Sequence, residues 1–231
     1  MLVHYRFGAA ATAGTLALVL MCDFEISTRY ATLAKYDPRV EMPSEPGIGA
    51  FARYRLDPKQ SRFYVKAFAG GLFSVFAHDH NIAIRDFDGH ADFTYGTVEP
   101  ASLEITVKAS SLEVTDNVSA GDRQKIESTM RGEVLETSKY PEMVFRSDSI
   151  SATKTNEGSY RANISGELSL HGVTKPLNIN ARLEFGDQIL RARGTFSIKQ
   201  TSFNIKPPSV GAGTIKVKDE LKFTFDVIAR P

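Results

Sequence analysis

Two histidines, His78 and His80, flank Asp79 in the segment Ala77-His-Asp-His80. In an extended chain alternate side chains share a face, so this spacing presents two imidazoles together and turns Asp79 the other way. His90 is a further nitrogen donor if the fold brings it near. Zinc takes three or four ligands at about 2 Å, and His78 and His80 supply only two. The segment therefore has three readings: an incomplete metal site, a polar gate that hydrogen-bonds the head group of a ligand, or loop histidines that donate to backbone carbonyls. His171, just before Gly172, reads as a residue that orders a turn. Cys22 is the only cysteine, which rules out a disulfide within the chain and makes a catalytic thiol implausible. The chain has no Gly-rich phosphate loop, no Cys-x-x-Cys pair, no His-Glu-x-x-His helix and no Gly-x-Ser-x-Gly elbow. No catalytic residue and no resident cofactor are expected.

Those histidines need a scaffold, and the composition bounds it. The 231 residues suit one domain plus a tail, and 28 Lys+Arg against 27 Asp+Glu lack the basic excess that nucleic-acid binding requires. Residues 1–22 hold one arginine, Arg6, before the apolar run Phe7–Met21, the layout of an export signal. No clear small-x-small cleavage site follows, so an uncleaved membrane anchor is the second reading. Acylation at Cys22 is disfavoured by the bulk of Met21. Residues 23–50 gather Pro38, Pro43, Pro46, Gly47 and Gly49 among charges and read as a linker.

Residues 51–231 are written in period two. Leu103, Ile105, Val107 and Ala109 alternate with Glu104, Thr106 and Lys108, which sends one set to a core and the other to water. The pattern recurs at Phe63/Val65/Ala67, Ala91/Phe93/Tyr95, Ile164 to Leu170, Leu177 to Phe185, Leu190 to Ile198 and Leu221 to Val227. At least seven strands follow, punctuated by turn signals at Asp57-Pro58, Asp86 to Gly89, Glu99-Pro100, Asn156 to Gly158, His171-Gly172 and Gly186-Asp187. Short consecutive half-polar strands make an antiparallel all-β fold. One segment departs from the pattern. Ile126, Met130 and Val134 lie four apart, which predicts a helix over Asp122–Leu135, capped by Ser119 or Asp122 and ending at Gly132 or before Pro141. One helix among antiparallel strands suits a barrel with the helix over an opening, and barrels of about eight strands hold a small ligand.

Several segments, in order, resemble the YceI-like family of polyisoprenoid-binding proteins. They are Tyr54-Arg-Leu-Asp57 with Ser61, Ser110-Ser-Leu-Glu113, Val134 to Pro141 with Phe145-Arg-Ser147, and Gly166-Glu-Leu-Ser-Leu-His-Gly-Val-Thr-Lys-Pro176. The resemblance spans about residues 54–229. It implies a lipocalin-like extended barrel, a periplasmic or secreted location, and a carrier of a long isoprenoid, quinone or other lipid without catalytic residues. The segment Ala77 to His80 departs from the family's usual pattern.

The inward set expected to line the barrel is Phe63, Val65, Phe93, Ile105, Phe145, Leu168, Phe196, Phe223 and Phe225, with His78 and His80 as head-group or gate residues. Large flat rings line a tunnel or fill a solid core equally well, and periodicity does not separate the two. Gly89, Gly166 and Gly194 either leave room for a ligand or relieve strand curvature. Asp122, Arg123, Lys125 and Arg131 give the helix a basic side, read as a solvated face with local pairs. The loop from Pro207-Pro208 to Gly211-Ala-Gly213 reads as a lid. Three functions stand at this point: a hydrophobic-ligand carrier in the bacterial envelope, a metal-dependent protein or enzyme built on His78 and His80, and a structural module whose barrel is filled by its own side chains.

Overall fold

The computed structural model describes residues 50–70, 78–94, 98–186, 188–210 and 215–231. The expectations for the leader, the linker, Tyr95 and the Gly211–Gly213 lid lie outside the described residues. Alternating sequence becomes strand throughout: β1 (Phe51–Leu56), β2 (Arg62–Gly70), β3 (His80–Ile84), β4 (Phe87–Thr94), β5 (Ala101–Lys108), β6 (Leu112–Val114), β7 (Glu142–Asn156), β8 (Ser159–Leu170), β9 (Val173–Gly186), β10 (Ile189–Lys199), β11 (Ser209–Val210) and β12 (Ile215–Arg230). All pairings are antiparallel, as hairpins and short connections dictate.

The first six strands are three long ones, each broken once. β1 and β2 lie end to end on one edge of β12, through Leu56↔Ala229 and Phe63↔Phe225, while β10 occupies the other edge. β4 then pairs β1 and β5, and β3 pairs β2 and β6. Continuing through β7, β8, β9, β10 and β12 closes an eight-strand barrel. Short polar side chains fix the breaks. The Ser61 hydroxyl accepts from the Ile228 amide at 2.9 Å between β1 and β2, and Ser111 donates to the carbonyls of Lys108 and Asp86 where β5 and β3 bend. Asp86 to Gly89 is therefore not a turn as the sequence suggested. The bend is at Arg85-Asp86, and Gly89 lies inside β4.

At one end of the barrel the wall does not join, because β7 pairs β5 but not β6. A helix covers this free edge. α1 (Ala120–Thr129) is capped by Ser119, whose hydroxyl accepts from the Asp122 amide and donates to its carboxylate, and it runs on through Gly132 in a π turn over Met130–Val134. Of the two ends the sequence offers, the helical segment passes Gly132, where no Cβ contact acts as a stop, and finishes at Val134, before Pro141. Glu127 accepts from the Val114 amide at 2.9 Å, and Arg131 donates to the carbonyls of Ser110 and Leu112 while pairing Glu127. These side chains satisfy backbone groups that an absent strand would otherwise take. Outside the barrel, cross-strand pairs such as Arg53–Asp92, Arg191–Asp226 and Arg146–Glu104 cover the wet face. Among the described residues no helix is long and apolar enough to cross a membrane.

Candidate functional site: two apolar chambers

The inward faces meet around Phe63. Its ring lies edge-on to Phe87, Phe196, Phe223 and Phe225 at centroid distances of 6.0–6.4 Å, and Phe196 stacks on Phe223 at 4.7 Å. The rings do not fill the barrel. An apolar cavity of about 150 Å³ remains, and eight of the nine expected lining residues border it: Phe63, Phe93, Ile105, Phe145, Leu168, Phe196, Phe223 and Phe225. Its floor is aromatic, with Phe93 and Phe185 at 5.2 Å and Tyr54 and Tyr160 against them.

The ninth residue, Val65, lines a second chamber of about 430 Å³ at the end covered by the helix. Ile126, Met130 and Val134 of the helical segment face this chamber, as their four-residue spacing predicted. Five residues, Ile84, Met143, Leu170, Ile198 and Phe223, border both spaces and form the wall between them. The second chamber has a polar rim with His78, His80, Lys125, Gln200 and Lys216. The barrel thus grades from an inner space lined by carbon to an outer space with nitrogen donors and acceptors.

The glycines expected either to leave room for a ligand or to relieve curvature leave no room, since each stands where a side chain has no space. A Cβ on Gly166 would lie 2.2 Å from the Arg146 carbonyl and 2.8 Å from the Phe145 ring, and one on Gly194 would lie 2.5 Å from the Asn180 carbonyl and 2.6 Å from the Phe225 ring. A Cβ on Gly89 would meet the Glu104 carbonyl at 2.4 Å. None of the three borders a chamber, because adjacent backbone and ring edges already fill their space.

His78 and His80 both face the outer chamber, as residues two apart in an extended segment must. Asp79 turns away, accepts from the Ala69 amide and pairs Lys66, and these two contacts hold its carboxyl below the ordinary range. His80 Nδ1 lies 2.8 Å from Asp116 Oδ2, and Asp116 Oδ1 accepts from the backbone and side chain of Asn81 at 3.0 Å each. Burial acts to raise the Asp116 carboxyl, but the hydrogen bonds from Asn81 and His80 outweigh it and hold it below the usual value. Asp116 is 36 residues from His80, and no spacing in the sequence marked it. His90 is elsewhere, on β4 beside Asp92, so the metal reading gains no third ligand from it. Among the described residues no group of three or more metal-binding side chains assembles.

His171 orders its turn as expected. It takes the left-handed conformation, with φ of 53°, contacts the Phe203 carbonyl through Nδ1 and Glu136 through Nε2, and packs on Tyr140. Arg123 and Arg131 spend their guanidinium groups on backbone carbonyls, so of the helix's expected basic side only Lys125 faces the chamber.

Residues 54–229 match the family model described as YceI-like domain. The chain belongs to the YceI-like family. A UPF0312 protein of Pseudomonas putida (strain W619) is 26% identical over 175 residues, which cover 73% of this YceI-like chain and 84% of the relative. A UPF0312 protein of Pseudomonas syringae pv. tomato is 27% identical over 190 residues, covering 80% and 90%. Among solved structures, Burkholderia cenocepacia BcnA superposes with a TM-score of 0.58 at 16% identity, covering 75% of this chain and 98% of BcnA. A polyisoprenoid binding domain from Saccharophagus degradans, implicated in plant cell wall breakdown, gives 0.54 at 11% identity, covering 77% and 97%. At these identities the two structures establish the YceI-like barrel fold.

Proposed function

We propose that this YceI-like barrel is a carrier that holds a hydrophobic molecule, an isoprenoid, quinone or similar lipid, by burial and without chemical turnover. The apolar part lies in the inner chamber and the polar end at the rim carrying His78 and His80. The observation that carries the reading is the pair of chambers sharing one wall. An apolar cavity of about 150 Å³ favours apolar ligands over water. Left empty, it would cost roughly 3–4 kcal/mol at about 24 cal/mol per Å³. Filling it gains about 25 cal/mol for each Å² withdrawn from water, so affinity grows with chain length until the inner chamber is full. The polyisoprenoid binding described for the Saccharophagus domain supports the same class of ligand.

The carrier works in the cell envelope in this proposal, with residues 1–22 as signal or membrane anchor and residues 23–50 as tether. The test is mass spectrometry of an organic extract of the full chain, purified without detergent from a bacterial host. A stoichiometric long-chain lipid is expected. An extract empty of lipid from protein that also fails to take up added lipid would overturn the carrier and favour a structural barrel. Tightly bound metal lost in both His78→Ala and His80→Ala would instead restore the metal reading.

A further inference from the structure

The outer chamber holds one imidazole whose protonation pattern is fixed by its surroundings. Asp116, held below the ordinary carboxylate range by the donors around it, is ionised at neutral pH and only accepts hydrogen bonds. Its Oδ1 accepts from the backbone and side chain of Asn81 at 3.0 Å each, and its Oδ2, which the Asn81 amide meets at a longer 3.2 Å, faces His80 Nδ1 at 2.8 Å. Nδ1 must therefore carry the proton. In the neutral ring the other nitrogen, Nε2, is then a bare acceptor, and it has no partner among the described residues. His80 borders the chamber with its side chain 27% exposed.

We propose that His80 Nε2 is an acceptor dedicated to a hydroxyl, so that the barrel selects hydrophobic alcohols or phenols over the corresponding ethers and ketones. The proposal rests on the carrier reading and narrows its head group: isoprenoid alcohols and reduced quinols fit, and oxidised quinones, whose head-group oxygens are ketones, do not. A hydroxyl donates to Nε2. An ether or ketone oxygen presents a lone pair to a lone pair and forgoes the hydrogen bond that a hydroxyl makes to this half-buried acceptor. Asp116 acts as a positioning residue, since it sets which ring nitrogen is bare without touching the ligand.

This arrangement makes a distinctive demand on one substitution. In Asp116→Asn, Oδ1 still accepts from Asn81, so the amide nitrogen takes the place of Oδ2 and donates to His80 Nδ1. The ring then shifts its proton to Nε2. The acceptor becomes a donor, although no residue that touches the ligand has changed.

The experiment is competition against a fluorescent apolar dye on the full chain, using farnesol, farnesyl methyl ether and farnesylacetone. Farnesol is expected to bind about 2- to 10-fold more tightly than its methyl ether, the span of a single neutral hydrogen bond. His80→Phe should remove that ratio, and Asp116→Asn should remove it while strengthening the ketone. Equal affinities in the unmodified protein overturn the proposal, with no variant needed. A ratio that survives both substitutions also overturns it and assigns the hydroxyl to another acceptor of the rim, the Gln200 side-chain oxygen. If neither dye nor probes bind, the carrier reading itself falls. Probes that bind tightly but without discrimination sink only the role of His80.

Discussion

Phe223 is the residue whose loss should speak most directly about the two chambers. Its ring stacks on Phe196 at 4.7 Å, stands edge-on to Phe63 at 6.2 Å, and is the one aromatic in the wall between the spaces. Truncation of a buried Phe to Ala costs about 3–5 kcal/mol. Phe223 already borders space on two sides, so fewer contacts are lost and about 3 kcal/mol is the expected value. At about 2–4 °C per kcal/mol for a domain of this size, Phe223→Ala should melt roughly 6–12 °C lower. The same change widens the passage by which a chain held at the outer rim enters the inner chamber. Longer chains then reach further inward, each extra buried methylene adding about 0.8 kcal/mol, or about fourfold in affinity. Urea unfolding by circular dichroism and binding of a series of fatty alcohols of increasing length measure the two effects. Lys108→Ala is the control, because Lys108 pairs Asp86 on the wet face and should change neither. A Phe223→Ala protein as stable as the Lys108→Ala control, with an unaltered length preference, would refute the wall.

Phe196→Asp places a carboxylate in the inner chamber and should abolish lipid retention, which extraction followed by mass spectrometry would register. Gly172→Ala forces φ of 73° on a residue with a Cβ and drives that carbon to 2.7 Å from the Tyr140 ring, so a loss of about 2 kcal/mol is expected. Gly186→Ala meets nothing within 4 Å and should be neutral in the same thermal melt. The Asp116 carboxyl titrates below its ordinary 3.8 in the folded protein, so its ionised form contributes stability that is present above that value and disappears as pH falls through the lowered one. The difference in melting temperature between the unmodified protein and Asp116→Asn should therefore be flat from pH 7 to about pH 5 and shrink toward pH 2.

The inward and outward faces were legible because a strand's period leaves no freedom: once Ile105 points in, Glu104 points out. The eight rings and aliphatic chains assigned to the barrel interior share one cavity for that reason. Val65 obeys the same alternation, yet it falls in the other chamber, because it lies one step further along β2 than Phe63, opposite Phe223, and period two carries no information about depth. The family-like segments proved legible in a different sense. Ser61 and Ser111 fix strand breaks, and Glu136, Tyr140 and His171 clamp a hairpin, so the polar residues of these motifs mark where the wall bends or is tied, while Val134, Phe145, Leu168 and Leu170 of the same segments line the chambers. What stayed hidden was contact at long range. Asp116 sits in a short polar connection with no periodicity, and only the pairing of β3 with β6 brings it to His80. The free edge of β6, and with it the purpose of Glu127 and Arg131, likewise exists only once the strand order is known.

The strand β12 carries a consequence for how the protein is made. It pairs β10 on one side and both β2 and β1 on the other, and its partners Arg55 and Leu56 precede it in sequence by more than 170 residues. Until residues 215–230 have left the ribosome, there is no closed wall, no inner chamber and no place for a lipid. A nascent chain that has produced everything through β10 still has two unmatched strand edges and lacks Phe223 and Phe225 of the aromatic lining. Non-local pairing of this kind forms slowly, since the loop must close before the contacts reward it. Ligand loading in consequence waits for β12 to pair, and the chain is most in need of protection from aggregation before that strand arrives.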